Sequence, residues 1–567
     1  MIAGIFIQVL FLALIIFGIY RIFSRGGKRG PGEFSIRRLF QYSLLYLSVV
    51  VVGLGASGLL ARVFTSGEII AENRTDLARN LSFLIVGIPL LFFFARWSSR
   101  IQQRDVTEQK SISWNSYLTI TTTTSLISAL VGFHDLLSWL IGNDNFRGAA
   151  LAQAIVWTLI WLVHWQISKR DGESDAMNAN LLLGSGVGLV LLAVGFGGLI
   201  GNSLELLMDY KDELTVIERT NPIVNSGINV LLGLPVWYLY WIRNAISVAR
   251  ELLWNIYVLL AGIAASFITM VVSASIVIYD LLVWFLGDSN NASFARHFYD
   301  TTTAIGSALI SLGVWSYHRL ILASHESAER SKHSELRRVY EYLISGISLI
   351  AASLGILMII VAAIESVTPG DIATGEAGSN ALLLAITLLI VGAPIWWFHW
   401  NRIETRSALD QHEKSSPTRR IFILMLFGVS GVAAIVSIIT AVFLLFDDLL
   451  NGELAMETLR SARYAIGILV TNAAIAGYHW SIYRLEKDLP MQRIGRARKI
   501  ILVGPADSLL LPSLRPEFKG EIDLLVAKDG SGSWNVKELL DLIQSNDAQE
   551  LLIINEKRGL KAIEIED

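Results

Sequence analysis

The sequence predicts an all-α polytopic membrane protein with about 13 transmembrane helices and a small C-terminal cytoplasmic α/β domain. Three observations support this prediction: the composition, the distribution of charge along the chain, and a sequence pattern that recurs at the ends of the predicted hairpins. Hydrophobic residues form 53% of the 567 residues and charged residues only 17%, whereas a soluble chain carries about 25% charged residues. Mean hydropathy is +0.53. The net charge of −3 gives no indication of a nucleic-acid partner, and the lack of cysteine excludes disulfides and cysteine-ligated metals.

The first predicted element is a single transmembrane helix. Residues from Met1 to Phe23 are apolar almost throughout and are followed by a basic stretch that continues to Arg38. No basic region precedes the apolar run and no small-residue cleavage site follows it, so we do not expect a cleavable signal peptide. Because basic residues favour the cytoplasmic side, this helix predicts that Met1 lies outside.

Six helical hairpins are predicted after this helix. They cover residues 39–97, 114–167, 178–242, 252–322, 339–401 and 420–485. The linkers between hairpins are basic and the opposite loops are acidic, and this asymmetry repeats along the chain. The positive-inside rule therefore predicts a protein of the inner (plasma) membrane with its C-terminus in the cytoplasm.

Two features show that the hairpins alternate. The first, third and fifth carry Gly-x-Pro at Pro89, Pro235 and Pro394, and the others instead carry Asp-Leu-Leu, beginning at Asp135, Asp280 and Asp448. The repeat is therefore a four-helix unit present three times, and Arg37-Arg38 and Arg337-Arg338 open the first and third copies. The predicted organisation is an N-terminal helix with a basic linker (1–36), three repeat units (37–176, 177–335, 336–489) and a C-terminal domain (490–567).

The C-terminal domain is predicted from short apolar runs. Residues 499–504, 521–526, 550–554 and 562–565 are predicted strands, 536–545 is a predicted helix, and 528–532 is a predicted turn. Gly504-Pro505-Ala506-Asp507 follows a strand but lacks the glycine spacing of a phosphate loop. The domain is near the lower size limit for independent folding.

The paired helices and their Pro/Trp/His-rich ends resemble a bacterial domain-of-unknown-function family of tandem two-helix membrane repeats. The resemblance covers about residues 37–485. The first hairpin departs from the pattern, because Leu91, Phe94 and Ala95 stand where other hairpins have Trp and His. The resemblance implies the repeated fold and implies no catalytic residue.

Two sets of residues are candidate functional positions. Pro89, Pro235 and Pro394 each leave a carbonyl without its helical partner, which predicts either a hinge or a packing kink. An interfacial cluster is predicted at the hairpin ends, and its members are His164, Trp165, Trp241, His318, His399, Trp400, His479 and Trp480. These rings fit an aromatic belt at the membrane boundary, and the alternative is a histidine site formed across repeats.

The predicted helix centres carry no ionisable residue, which disfavours ion-coupled carriers and voltage sensors. The chain also lacks the HExxH, Gly-x-Ser-x-Gly and Walker motifs. We therefore expect neither an enzyme nor a cofactor. The expected function is a membrane scaffold or accessory subunit that contacts the lipid bilayer and either a membrane-protein partner or further copies of itself. The alternatives are a carrier or channel for a neutral or lipophilic solute and, less favoured, a sensor acting through the C-terminal domain.

Overall fold

The structure is a computed structural model. It describes residues 36–65, 74–105, 108–170, 175–208, 221–247, 252–289, 292–328, 335–368, 375–487, 499–507, 510–514, 518, 521–527, 533–545, 550–556 and 559–565. The predicted first transmembrane helix and the predicted turn at 528–532 lie outside the described residues. Within them, twelve helices are long and apolar enough to cross a membrane. The chain divides into two compact bodies, Met1–Asp280 with Asn290–Ser316 and Leu281–Ser289 with Tyr317–Asp567.

The helices follow the predicted hairpins closely. Up to residue 286 they are α1 (Ile36–Phe64), α2 (Arg74–Arg104), α3 (Ile112–Leu140), α4 (Gly148–Arg170), α5 (Asp175–Met208), α6 (Pro222–Trp237), α7 (Leu252–Ile256) and α8 (Ala265–Leu286). Two π-helical segments interrupt this part of the chain, at Tyr238–Ile242 after α6 and at Tyr257–Ala264 between α7 and α8.

The remaining helices are α9 (Phe294–His297), α10 (Thr301–Ala328), α11 (Glu335–Val367), α12 (Gly375–Leu409), α13 (Gln411–Lys414), α14 (Pro417–Asn451), α15 (Met456–Ser461), α16 (Arg463–Glu486), α17 (Leu510–Leu514) and α18 (Val536–Ser545). Helices α1 and α2, α3 and α4, α5 and α6, α11 and α12, and α14 and α16 form antiparallel pairs in contact. Their described centres carry no charged residue, as the sequence predicts for helices surrounded by lipid.

The glycines of the three Gly-x-Pro elements lie at the contact between the two helices of a hairpin. A Cβ atom on Gly392 would lie 2.5 Å from the backbone nitrogen of Ala352. A Cβ atom on Gly233 would lie 2.9 Å from the nitrogen of Leu192, and one on Gly87 would lie 3.0 Å from the Val52 side chain. Close approach of two backbones requires such small residues, because dispersion contacts hold helices together in lipid.

The prolines two positions later face away from these contacts. Pro89, Pro235 and Pro394 are all exposed, and helices α2 and α12 continue through their prolines. After Pro235 the α-helix gives way to the π-helical segment Tyr238–Ile242. The proline ring lies on the outer surface of each hairpin, and the hinge assignment stays a prediction.

The aspartates of the three Asp-Leu-Leu elements stabilise the turn of the second hairpin of each repeat. The Asp280 carboxylate accepts a hydrogen bond from Thr301 at the start of α10. The Asp448 carboxylate accepts one from Thr458 on α15. Asp135 lies 3.8 Å from the Arg147 guanidinium just before α4. Each aspartate therefore joins the end of one helix to the chain that leads into the next.

A polar contact recurs where one repeat meets the next. The loop residue Asn143, after α3, donates to the Asn225 side chain at 2.9 Å and accepts from the Asn221 backbone at 2.6 Å. The loop residue Asp288, after α8, exchanges two backbone-to-side-chain hydrogen bonds with Asn380 of α12, at 3.0 and 3.1 Å. Both loop residues lie eight positions after the aspartate of Asp-Leu-Leu, so the contact follows the repeat.

The C-terminal domain contains β1 (Lys499–Gly504), β2 (Glu521–Val526), β3 (Glu550–Glu556) and β4 (Gly559–Ile565). The sheet order is β2-β1-β3-β4, with β1 parallel to both β2 and β3 and with β4 antiparallel to β3. Apolar residues of the sheet and of α17 and α18 form one buried core. The predicted strands and helix are therefore observed.

The carboxyl end of β1 is covered by an indole ring. In sheets of this type, ligands bind where the strand order reverses, which here is between β1 and β3. The buried Trp534 ring lies over Gly504, where a Cβ atom would come within 2.6 Å of it, and the indole donates to the Pro505 carbonyl at 2.9 Å. This arrangement gives no support to nucleotide binding at Gly504-Pro505-Ala506-Asp507.

Candidate interfacial site at the Trp/His end of the hairpins

The predicted Trp and His residues lie at the hairpin ends joined by the basic linkers, which we call the Trp/His end. Here the first and third repeats each contain a clamp between two arginines and one glutamate. Arg37 and Arg38, at the start of α1, both contact the buried Glu108 carboxylate. Their equivalents Arg337 and Arg338, at the start of α11, lie 3.2 and 2.7 Å from Glu413. The clamp fixes the linker between the two hairpins of a repeat.

Each clamp is followed by a helix cap. Ser111 and Ser416 lie three residues after the two glutamates and cap α3 and α14. The Ser111 hydroxyl accepts from the Trp114 backbone nitrogen at 3.4 Å, and the Ser416 hydroxyl accepts from the Arg419 nitrogen at 3.3 Å. Since one linker holds both the carboxylate and the cap, it sets where the next helix begins.

In the first repeat, aromatic rings surround a buried histidine. Tyr42, Trp114 and Tyr117 have ring centroids 5.3 to 6.1 Å apart. The His164 Nδ1 atom lies 2.8 Å from the Ile160 carbonyl, and Nε2 lies 2.8 Å from the Tyr117 hydroxyl. A carbonyl only accepts, so Nδ1 carries the hydrogen and Nε2 of a neutral ring accepts from the tyrosine. His164 therefore links α4 to α3.

In the third repeat, Arg419 stands where the first repeat has Trp114. The Arg419 side chain is 1% exposed and lies 2.9 Å from Glu404 and 2.8 Å from Glu486. It also donates to the Tyr342 hydroxyl at 3.4 Å. A buried guanidinium needs such partners, because an uncompensated buried charge is strongly destabilising. Arg419 thereby joins α14 to α11, α12 and α16.

In the third repeat, the histidine equivalent to His164 has a nitrogen that lacks a partner among the described residues. His479 is buried, and its Nδ1 atom lies 2.8 Å from the Ile475 carbonyl, as in His164. Among the described residues nothing bonds its Nε2 atom. Counting from the serine caps, Phe422 occupies the position of Tyr117, so the hydroxyl that satisfies His164 is missing. The rings of Phe422 and His479 pack on the same indole, that of Trp400, at 6.1 and 5.6 Å.

Indole-to-phenol hydrogen bonds join successive hairpins. The Trp161 indole donates to the Tyr240 hydroxyl at 2.7 Å, and Trp165 packs edge-on against the same ring. The Trp400 indole donates to the Tyr478 hydroxyl, also at 2.7 Å. These pairs connect the second helices of neighbouring hairpins and give a partner to the polar atoms of the buried Tyr240 and Trp400 side chains.

The other predicted cluster members are distributed over both bodies. Trp241 is fully buried and packs on the rings of Trp254 and Tyr257 at 6.1 and 4.7 Å. His318 is also fully buried. His399 is half-buried against Tyr340 at 6.1 Å.

Trp480 differs from the other three predicted tryptophans, because it is exposed and packs on Phe427. The buried rings of Trp165, Trp241 and Trp400 lie between helices.

No group of three or more His, Asp or Glu side chains in the described ranges could hold a metal ion. Sequence reasoning missed the arginine–glutamate clamps and Arg419. The signal for the clamps was present, because the spacing from glutamate to serine is the same in Glu108–Ser111 and Glu413–Ser416. For Arg419 the sequence offers little, since its partners lie on three other helices.

The fold and this site define a multi-pass membrane protein built from tandem helical repeats. A family model for a domain of unknown function, DUF5671, matches the chain three times, over residues 38–163, 178–317 and 338–474. The chain therefore belongs to this family, which confirms the predicted resemblance. The three segments fall within the three predicted repeat units. No curated protein and no solved structure matches the chain.

Proposed function

We propose that the protein is a non-enzymatic membrane scaffold or accessory subunit of a membrane complex. The observation that carries the proposal is that polar side chains at the Trp/His end form contacts within the protein. The carboxylates of Glu108 and Glu413 clamp linkers, and the imidazole of His164 joins two helices. Groups engaged in this way stabilise a rigid surface, which is what a protein that positions other membrane proteins needs.

The same proposal accounts for the charge-free helix centres. Ion-coupled carriers place ionisable groups near the middle of the membrane. The described transmembrane helices have none there. We propose that the protein lies in the plasma membrane with its N-terminus outside and its C-terminal domain in the cytoplasm.

The test is affinity capture from gently solubilised membranes, with the ratio of all captured chains measured. A scaffold yields a membrane-protein partner, or further copies of itself, at a fixed ratio. Recovery of a lone chain under several mild detergents argues against this function.

A carrier for a neutral or lipophilic solute is the second candidate. The π-helical segments Tyr238–Ile242 and Tyr257–Ala264 favour it, because π-helical turns often occur at functional sites. This function predicts that Pro235→Ala changes solute flux in proteoliposomes while the protein remains folded. Equal flux in protein-containing and empty liposomes, over a panel of neutral solutes, argues against it.

A further inference from the structure

We propose that the chain associates with a second copy of itself head to tail, with one face of α14 packed on α1 and α2 of the next copy. The inference rests on the scaffold function and names the membrane partner within it. It is carried by differences in burial between helices that occupy the same position in different repeats.

Helices α3 and α14 are equivalent and can be compared residue by residue. Both follow a glutamate clamp and begin after a serine cap, Ser111 or Ser416. Counting from these caps, the core-facing positions are buried in both helices. The pairs are Trp114 and Arg419, Tyr117 and Phe422, Leu118 and Ile423, Ser125 and Ser430, and Gly132 and Ser437.

A second stripe of α3 is buried, whereas its equivalent in α14 is not. The α3 residues are Thr119, Thr123 and Leu126, and their α14 equivalents are Leu424, Gly428 and Gly431, which we call the back stripe. Thr119 is 4% exposed and Leu424 is 40% exposed. Helix α3 contacts α5 and α6 of the following repeat. The contacts of α14 among the described residues of its own compact body are with α11, α15 and α16, which belong to the same repeat.

The difference does not extend over the whole outer face of the two helices. The remaining outer face of α3 includes Ile127 and Val131, which are exposed, and their α14 equivalents Val432 and Val436 are exposed as well. Lipid accounts for a face that is exposed in both repeats. The back stripe differs, because its equivalent residues are buried in α3, the helix that contacts α5 and α6 of the following repeat.

The first of the three matched repeats shows the complementary difference. Helices α1 and α5 are equivalent by their glycine contacts: a Cβ atom on Gly55 would meet the Asn80 carbonyl at 3.0 Å, and one on Gly195 would meet the Ser226 carbonyl at 2.9 Å. In this register Asn180 of α5 corresponds to Phe40 of α1.

Asn180 is 1% exposed and donates to Ser168 of the preceding repeat at 2.9 Å, whereas Phe40 is 63% exposed. Leu44, one turn further along α1, is exposed as well.

Helix α2 shows the same difference from α6. Aligned on Pro89 and Pro235, the Ile228 side chain of α6 corresponds to Ser82 of α2. Ile228 is 1% exposed, and Ser82 is exposed. We call Phe40, Leu44 and Ser82 the front face.

In the proposed assembly, the back stripe of one copy packs on the front face of the next. Gly428 and Gly431 leave open space, since a Cβ atom on either would have no atom within 4 Å. Small residues of this kind let a neighbouring helix approach closely. A contact between different faces of identical copies is heterologous, so it forms a ring if the rotation closes and a row if it does not.

The natural absence of cysteine makes the test direct. Two chains with different tags are co-expressed, one carrying Leu424→Cys and the other carrying Leu44→Cys, and membranes are treated with a short bis-maleimide. Leu424 and Leu44 lie seven and eight residues beyond the first residues of α14 and α1, so their depths match. The expected product carries both tags and has twice the single-chain mass. The control replaces Leu424→Cys with Val432→Cys on the lipid-facing side and gives no such product.

The outcomes separate this inference from the scaffold function. If chains that carry only Leu424→Cys cross-link to each other, the contact is two-fold and the head-to-tail arrangement is wrong. If no product carries both tags, the head-to-tail arrangement is also wrong. Lipid or residues 1–35 of the same chain would then cover the back stripe. If affinity capture then yields another protein at a fixed ratio, the scaffold function stands and only the self-association fails.

Discussion

At the scale of single residues, the first and third repeats differ in whether a tyrosine hydroxyl bonds the buried histidine. His164 accepts a hydrogen bond from Tyr117, and the equivalent histidine, His479, has Phe422 at that position. Among the described residues, Nε2 of His479 has no partner. A buried polar atom left unpaired costs about 1–3 kcal/mol.

Restoring the hydroxyl is therefore expected to stabilise the third repeat. The substitution Phe422→Tyr supplies a donor for His479 Nε2 and should raise stability by about 1 kcal/mol. The measurement is the thermal unfolding midpoint of the purified protein in detergent.

The matched control is Tyr117→Phe, which removes the existing donor and should lower the midpoint. A lower midpoint for Phe422→Tyr, with no change for Tyr117→Phe, would contradict the assigned role of these hydroxyls.

The Arg419 network makes a second residue-scale prediction. Arg419→Met leaves the carboxylate of Glu486 without its guanidinium and should destabilise the protein by about 3–5 kcal/mol. Arg463→Met is the control, because Arg463 and its partner Glu365 are each 25% exposed and a pair that meets water contributes about 0–1 kcal/mol. Equal losses in chemical denaturation of the two variants would show that burial of Arg419 contributes nothing.

At the scale of elements, glycine and proline of Gly-x-Pro have different surroundings. The sequence predicts helix breaks and leaves hinge and packing kink as alternatives. The structure places Gly392 against the backbone of Ala352 and leaves Pro394 exposed. The length of an apolar run predicts the helices and their turns well, because about 20 consecutive apolar residues are enough to span a membrane. It does not reveal which face of a helix meets its neighbour, because nearly every face is apolar.

This placement predicts that glycine matters more than proline for hairpin stability. In Gly392→Ala the new methyl group would lie 2.5 Å from the Ala352 nitrogen, and overpacking of this kind costs about 1–3 kcal/mol. Gly186→Ala is the control, because open space surrounds that position and alanine favours a helix. Thermal midpoints of the two variants in detergent test this, and a loss in Gly186→Ala as large as in Gly392→Ala would contradict it.

At the scale of the whole molecule, the sequence predicts the class, the hairpins, the threefold repetition and the C-terminal sheet. Those features depend on patterns that recur along the chain, such as Gly-x-Pro and Asp-Leu-Leu. Contacts between distant segments, such as Arg419 with Glu486, depend on how the hairpins pack, and a single sequence does not encode that packing in a readable pattern.

The proposed orientation is testable with single cysteines in the naturally cysteine-free chain. Asn145→Cys lies in an exposed loop near the Asp-Leu-Leu end, and Lys110→Cys lies in an exposed linker at the Trp/His end. A maleimide that does not cross membranes should label Asn145→Cys in intact cells and should label Lys110→Cys only after permeabilisation. The reverse pattern would invert the proposed orientation.

The central claim is that this three-repeat protein works as part of a larger membrane assembly. The most direct test is the intact mass of the assembly after gentle extraction into native lipid particles. The account predicts a single species heavier than one 62.7 kDa chain, with a fixed number of protein subunits. A species of 62.7 kDa that carries only lipid, across several mild extractions, would contradict it.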